Sequence, residues 1–142
     1  MSLGAHEAAQ VLLERRQARE QLLPFVTLTK PDFEIGRHHE MISQCLERVE
    51  SGEIVRQMIF TPPRHTKSEL ATRRFPAWYL GRRPDAQVIS ASYNSELASD
   101  FGREVRNLIN TPVYAQIFPG VGLSEDSQAA NRWHLKSGGQ YI

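Results

Sequence analysis

Apolar residues recur at helical spacing in two stretches of the chain. Met41, Ile42, Cys45, Leu46 and Val49 fall three and four residues apart, which predicts a helix from near His38 that buries one stripe and stops at Ser51-Gly52. Leu97, Phe101, Val105 and Leu108 repeat the spacing between about Ser95 and Asn110, and Thr111-Pro112 ends that helix. Two short runs read differently. Ile54 to Phe60 and Val88 to Tyr93 are mostly apolar with β-branched residues, the pattern of strands buried on both faces.

Good helix formers fill Glu7 to Leu23, and Pro24 closes the run. Ala8, Val11, Leu12, Ala18 and Leu22 make a thin apolar face, interrupted by Arg15, so this helix is expected at a domain edge. Residues 25–37, with Pro31 and Gly36, read as a surface loop. A further helix is expected from the Lys67-Ser68-Glu69 turn toward Leu80, kinked or restarted at Pro76 and ended by Gly81 before a turn at Arg82-Arg83-Pro84-Asp85. Pro119 to Asn131 is polar and irregular, and Trp133 to Ile142 reads as a hairpin turning on Gly138-Gly139. The alternation of strand and helix predicts an α/β fold with a parallel sheet covered by helices.

Composition narrows the class. With 142 residues, 40% apolar and 23% charged, the chain fits one ordinary globular domain. A formal net charge of +1 supplies no global field toward nucleic acid, so local clustering must carry any such reading. Cys45 is the only cysteine, which excludes an internal disulfide and a multi-cysteine zinc site and fits a reducing compartment. No run approaches a membrane span and the N-terminus lacks a signal-peptide core, so a cytoplasmic location without a membrane partner is expected.

The chemistry concentrates in Thr61-Pro62-Pro63-Arg64-His65-Thr66-Lys67-Ser68-Glu69. A phosphate-binding loop needs a strand, a tight turn whose N–H groups converge on an anion, and a helix N-terminus. In the pattern G-x-x-x-x-G-K-[ST] the lysine reaches the β and γ phosphates and the hydroxyl ligates magnesium, roles that fall on Lys67 and Ser68. Thr61 and Thr66 stand where that pattern has glycine. Residue types alone describe equally a proline-rich turn before a helix, with Ser68 a cap and Lys67 a solvated charge. Between Arg64 and Arg83 the chain carries six Lys or Arg against one acid, Glu69, an excess suited to phosphates or to a solvated helix face.

Met58 to Glu69 resembles the variant Walker A segment of the large terminase subunits of phages, which often begins Pro-Pro-Arg and ends Lys-Ser-Glu. Phe75-Pro76-Ala77-Trp78-Tyr79-Leu80-Gly81-Arg82, Ala91-Ser92-Tyr93-Asn94-Ser95-Glu96-Leu97-Ala98, Phe118-Pro119-Gly120 and Ser137-Gly138-Gly139 resemble later blocks of that family in their usual order. The resemblance covers roughly residues 30–142. It implies a RecA-like P-loop NTPase fold, a three-layer parallel sheet with flanking helices, in which residues 1–30 are a helical lead-in and 31–142 the first part of the ATPase domain. It further implies ATP and Mg2+ as cofactors, bound by Pro63, Arg64, His65, Thr66, Lys67, Ser68 and Glu69, with Ser68 toward the metal and Arg64 a catalytic charge on the γ phosphate. Double-stranded viral DNA, a small terminase subunit, the portal protein of the procapsid and sister copies in a ring are the implied partners, in the cytoplasm of a bacterial host. The Walker B half and the nuclease of such motors have no counterpart here, and no acidic residue comes after Trp133, so this chain alone is expected to be inactive as an ATPase. Another P-loop DNA translocase or helicase fragment, or a non-catalytic prophage remnant, are the competing readings.

Other residues carry weaker signals. His38 and His39 lie where terminases place adenine-contacting residues, and also where a helix cap is expected. Tyr93 and Asn94 lie at the C-terminal end of a predicted strand, where open α/β sheets bind ligands. Trp78, Tyr79 and Phe101 read as core, and His65 and His134 lack a second ligand at metal spacing.

Overall fold

The computed structural model describes residues 4–142, the side chains of residues 127 and 128 excepted. Helices dominate it. α1 (Ala5–Glu20) buries only Ala18, leaving Leu12 and Leu13 exposed, as its thin apolar face predicts. Polar clamps hold it at the edge: Arg15 Nη2 donates to Gln116 Oε1 at 2.8 Å, and Arg82 Nη1 donates to the Arg19 carbonyl at 2.8 Å. The break comes at Gln21, whose backbone is extended, and Pro24 lies in the first turn of a second helix, α2 (Leu22–Thr29). A first-turn residue has no intrahelical N–H bond to lose, so proline is tolerated there. Residues 25–29, expected in a loop, are therefore helical, and Leu22, Phe25 and Val26 are fully buried. Glu47 Oε1 accepts from the Leu22 N–H at 2.7 Å, a cap supplied from a distant helix.

That helix is α3 (Arg37–Glu50), stopped at Ser51-Gly52 with Gly52 at φ 82°. Its buried face runs through His39, Ile42, Ser43, Leu46 and Glu50, whereas Met41 points to solvent. A π-helical segment (Glu69–Arg74) leads into α4 (Phe75–Arg82), the restart expected at Pro76. Proline has no N–H for the regular ladder, and just before it the Phe75 N–H bonds five residues back, to Leu70. α5 (Ser95–Ile109) is capped by Asn94, whose Oδ1 accepts from the Glu96 N–H at 2.8 Å. α6 (Pro112–Ile117) comes next, with Thr111 as its cap.

The parallel sheet expected from the alternation, and the three-layer RecA-like P-loop NTPase fold that the resemblance implies, are not formed. Four short strands, β1 (Gln87–Val88), β2 (Leu123–Gln128), β3 (Trp133–Leu135) and β4 (Gln140–Tyr141), make one small mixed sheet in the order β1-β4-β3-β2. Only β1 and β4 run parallel. The C-terminal hairpin is present as predicted, and β2 arises within the stretch read as irregular. Neither apolar run becomes a doubly buried strand. Val55, Met58 and Phe60 are 79% exposed or more, and beyond Val88 the residues Ile89 and Tyr93 are open to solvent. A strand forms only against a partner, and the partner of β1 is the hairpin rather than residues 54–60.

The core lies between helices. Phe25 meets Tyr114 edge-on with ring centroids 6.1 Å apart, and Phe118 packs on both. Trp78 is buried with its Nε1 donating to the Ala18 carbonyl at 3.1 Å, and Tyr114 Oη donates to the Ala77 carbonyl at 2.8 Å. Each such large side chain contributes on the order of 1.5–3 kcal/mol of apolar burial. A second aromatic pair, Trp133 stacked on Tyr141 at 5.0 Å, joins the sheet to α5 through Trp133 Nε1 donating to the Gly102 carbonyl. No helix of the described residues is long and apolar enough to cross a membrane.

Candidate functional site

Residues 61–69 curl around a cleft of about 510 Å³, closed on one side by Arg73. The loop leaves the extended segment 54–60 and enters the helical segment that begins at Glu69, with the Leu70 N–H bonding back to the Thr66 carbonyl at 3.2 Å. Within it Arg64 (φ 66°) and Thr66 (φ 54°) adopt the left-handed backbone, and they are the only non-glycine residues of the described chain that do so. For an L residue, and most of all a β-branched one, this conformation costs about 1–2 kcal/mol, so something must hold it. Left-handed residues in a tight turn before a helix are also the backbone conformation from which anion-binding concavities are built.

Two histidine contacts brace the turn. His65 Nδ1 and the Pro63 carbonyl are 3.0 Å apart, so that nitrogen donates. His39 Nε2 lies 2.5 Å from Thr66 Oγ1, while Nδ1 of the same ring accepts from the Gly36 N–H at 2.9 Å. His39 thus caps α3, as expected of it, and also reaches 27 residues along the chain to the loop. Burial, and next the adjoining His38 imidazole, hold His39 below the ordinary imidazole value, against a hydrogen bond with the His65 backbone. His38 lies against His39 with ring centroids 3.8 Å apart and planes tilted by 46°, and its Nε2 is enclosed without a hydrogen-bond partner.

The predicted site residues divide by what they touch. Pro63, Arg64, His65 and Thr66 are exposed on the loop, and Lys67 and Ser68 are half-buried at its exit. Ser68 occupies the cap position but makes no side-chain capping bond, so its hydroxyl is not spent on the helix. Among the described residues no ion pair involves Arg64 or Lys67. Glu69 is engaged elsewhere: its carboxylate meets Arg74 at 2.8 Å, Arg73 at 3.7 Å and Lys30 at 4.0 Å.

The arginine excess around the loop is largely neutralised within the fold. Arg73 pairs also with Glu104 and lies over the Phe101 ring at 5.0 Å, and Arg82 and Arg83 both hold Glu50, at 3.1 and 3.0 Å. Of the six basic residues between Arg64 and Arg83, Arg64 and Lys67 are thus the two that face a cleft with no carboxylate on them. Tyr93 is solvent-exposed and Asn94 is the α5 cap, so neither joins this site. No group of three His, Cys, Asp or Glu among the described residues is arranged to hold a metal. The His39 to Thr66 link is the feature sequence reasoning missed, since nothing local to either residue marks a partner so far away. No family model, curated protein or solved structure matches the chain.

Proposed function

We propose that residues 61–69 bind the phosphates of ATP, and that the chain is the nucleotide-binding portion of a large-terminase-type motor for packaging double-stranded DNA. One observation carries the reading: two left-handed residues shape a turn in front of a helical segment, and Arg64 and Lys67 face its cleft without a carboxylate partner. In this role the Lys67 ammonium contacts the β and γ phosphates, as a compact charge on a flexible stem suits. Arg64 lies three residues earlier and offers a planar donor set to the terminal phosphate. Mg2+, when bound with the nucleotide, neutralises phosphate charge, and the uncommitted Ser68 hydroxyl is its protein ligand. The ordered sequence blocks around the loop support the terminase assignment, and DNA, small subunit, portal and sister copies are the partners it brings. The reading rests on the loop and not on a parallel sheet. It also leaves Arg73, Arg74, Arg82 and Arg83 to internal ion pairs rather than to DNA.

Calorimetry with a non-hydrolysable ATP analogue, with and without Mg2+, tests it. Binding is expected to need magnesium and to weaken roughly 10- to 150-fold in Lys67→Ala, the worth of a charge-assisted hydrogen bond of about 1.5–3 kcal/mol. Equal affinity of Lys67→Ala and the unaltered chain would sink the assignment.

A further inference from the structure

We infer that His39 is the positioning residue of the loop: in its neutral form, with the proton on Nε2, it holds Thr66 in the left-handed conformation that presents Lys67 and Arg64 to the cleft. The inference deepens the phosphate-binding reading of residues 61–69 and rests on it for its consequence on nucleotide.

The hydrogen bonds fix the tautomer. The Gly36 N–H can only donate, so His39 Nδ1 must accept and carries no proton. In a neutral imidazole the proton then sits on Nε2, which donates to Thr66 Oγ1. Thr66 is otherwise exposed and its backbone is one that threonine avoids; besides the Leu70 N–H on its carbonyl, this bond is the side-chain restraint on it. Adding a proton at Nδ1 breaks the Gly36 bond and sets a cation beside groups of both signs. Lys30, Asp32 and Glu34 from the segment before α3, His38 from α3 itself, and Arg64 and His65 from the loop line the same cleft as the ring. The Nε2–H keeps its bond to Thr66, so the event frees the α3 cap and the Nδ1 anchor that fixes the ring, and the loop feels it through the ring. Burial, and then His38, hold the ring below its ordinary value, so the fold favours the form that keeps the Gly36 anchor. The neutral form that makes both bonds is complete above about pH 6.5 and is lost as pH falls through the lower value of the folded chain.

The test uses the 142-residue chain, nitrogen-15 labelled, titrated between about pH 5 and 8 by NMR, the range in which histidine changes charge, with Mg2+ and the non-hydrolysable ATP analogue added in parallel calorimetry. The expected spectrum has His39 protonated on Nε2 at the alkaline end, with the Thr66 and Lys67 amides moving along its titration. His39→Gln, which places an amide N–H near the Nε2 position and does not titrate, keeps those amides near their alkaline positions and flattens the pH profile of binding. Thr66→Val, which keeps the side-chain shape at an exposed position and removes the hydroxyl, lowers affinity roughly threefold to tenfold, as expected for one hydrogen bond. His39 protonated on Nδ1, loop amides blind to its titration, or Thr66→Val binding like the parent chain would each overturn the inference. If the loop amides track His39 while Lys67→Ala leaves analogue affinity unchanged, His39 still positions the loop and the phosphate-binding reading fails instead.

Discussion

Arg83 holds Glu50 twice: its Nε donates to Oε1 at 3.0 Å and its Nη2 to the Glu50 backbone carbonyl at 3.0 Å, tying the end of α3 to the end of α4. Arg82 adds a third contact, Nε to Oε2 at 3.1 Å, and the Glu50 side chain is only 7% exposed. A buried carboxylate is tolerable only because two guanidiniums meet it, and a planar fork does this better than an ammonium.

Glu50→Ala is therefore expected to lower the unfolding free energy by about 1–3 kcal/mol, the range for charge-assisted hydrogen bonds. Arg83→Lys, which keeps the charge but not the fork, should lose less. Urea unfolding checks both, through the midpoint at unchanged slope. A loss under about 0.5 kcal/mol for Glu50→Ala would place this cluster with ordinary surface pairs.

Gly102 sets two effects against each other. Alanine in a helix interior gains about 1 kcal/mol over glycine. A Cβ here, however, would lie 2.7 Å from the Ala130 carbonyl oxygen and 3.0 Å from the Tyr141 ring, which is itself stacked on Trp133. Backbone and stacked rings yield little, so Gly102→Ala is expected to destabilise by about 1–3 kcal/mol net. The near-ultraviolet circular dichroism of Trp133 should change with it, and a stabilised variant would show that the sheet moves off α5 freely.

Tyr114 supplies a dependence on alkaline pH. Burial pushes its phenol well above the ordinary value, and the hydroxyl donates to the Ala77 carbonyl. A folded value above the unfolded one of about 10 means that the neutral form stabilises the fold. That contribution is complete below about pH 10 and is lost as pH rises beyond it. Tyr114→Phe should cost about 1 kcal/mol at neutral pH and flatten part of the alkaline fall in stability. A residual slope from Tyr141, also raised by burial, should remain. Denaturant titrations from neutral pH to about pH 11, run alongside tyrosinate absorbance, would reveal a Tyr114→Phe curve parallel to the parent if the argument is wrong.

Local chemistry was enough for the elements that need no distant partner. Spacing of apolar residues placed α3 and α5, the missing N–H of Pro76 placed the restart into α4, and Gly138-Gly139 placed the hairpin, because each acts within a few residues of itself. The loop at 61–69 was legible for the same reason, in the order of a lysine and a hydroxyl before a helix. Tertiary structure alone decided the rest. Apolar runs at 54–60 and 88–93 have strand composition, yet a strand exists only when another edge pairs with it, and the hairpin took β1 for two residues while leaving residues 54–60 unpaired. Pro24 closes a helix or opens one depending on whether Glu47, from α3, caps the next turn of chain. The arginines between Arg73 and Arg83 are available to phosphates by composition, but Glu50, Glu69 and Glu104 are brought against them in space. Thr66 could take a glycine's backbone because His39, 27 residues earlier, stands at hydrogen-bond distance. Charge pairing and strand pairing act through space, and sequence separation carries no record of which groups they join.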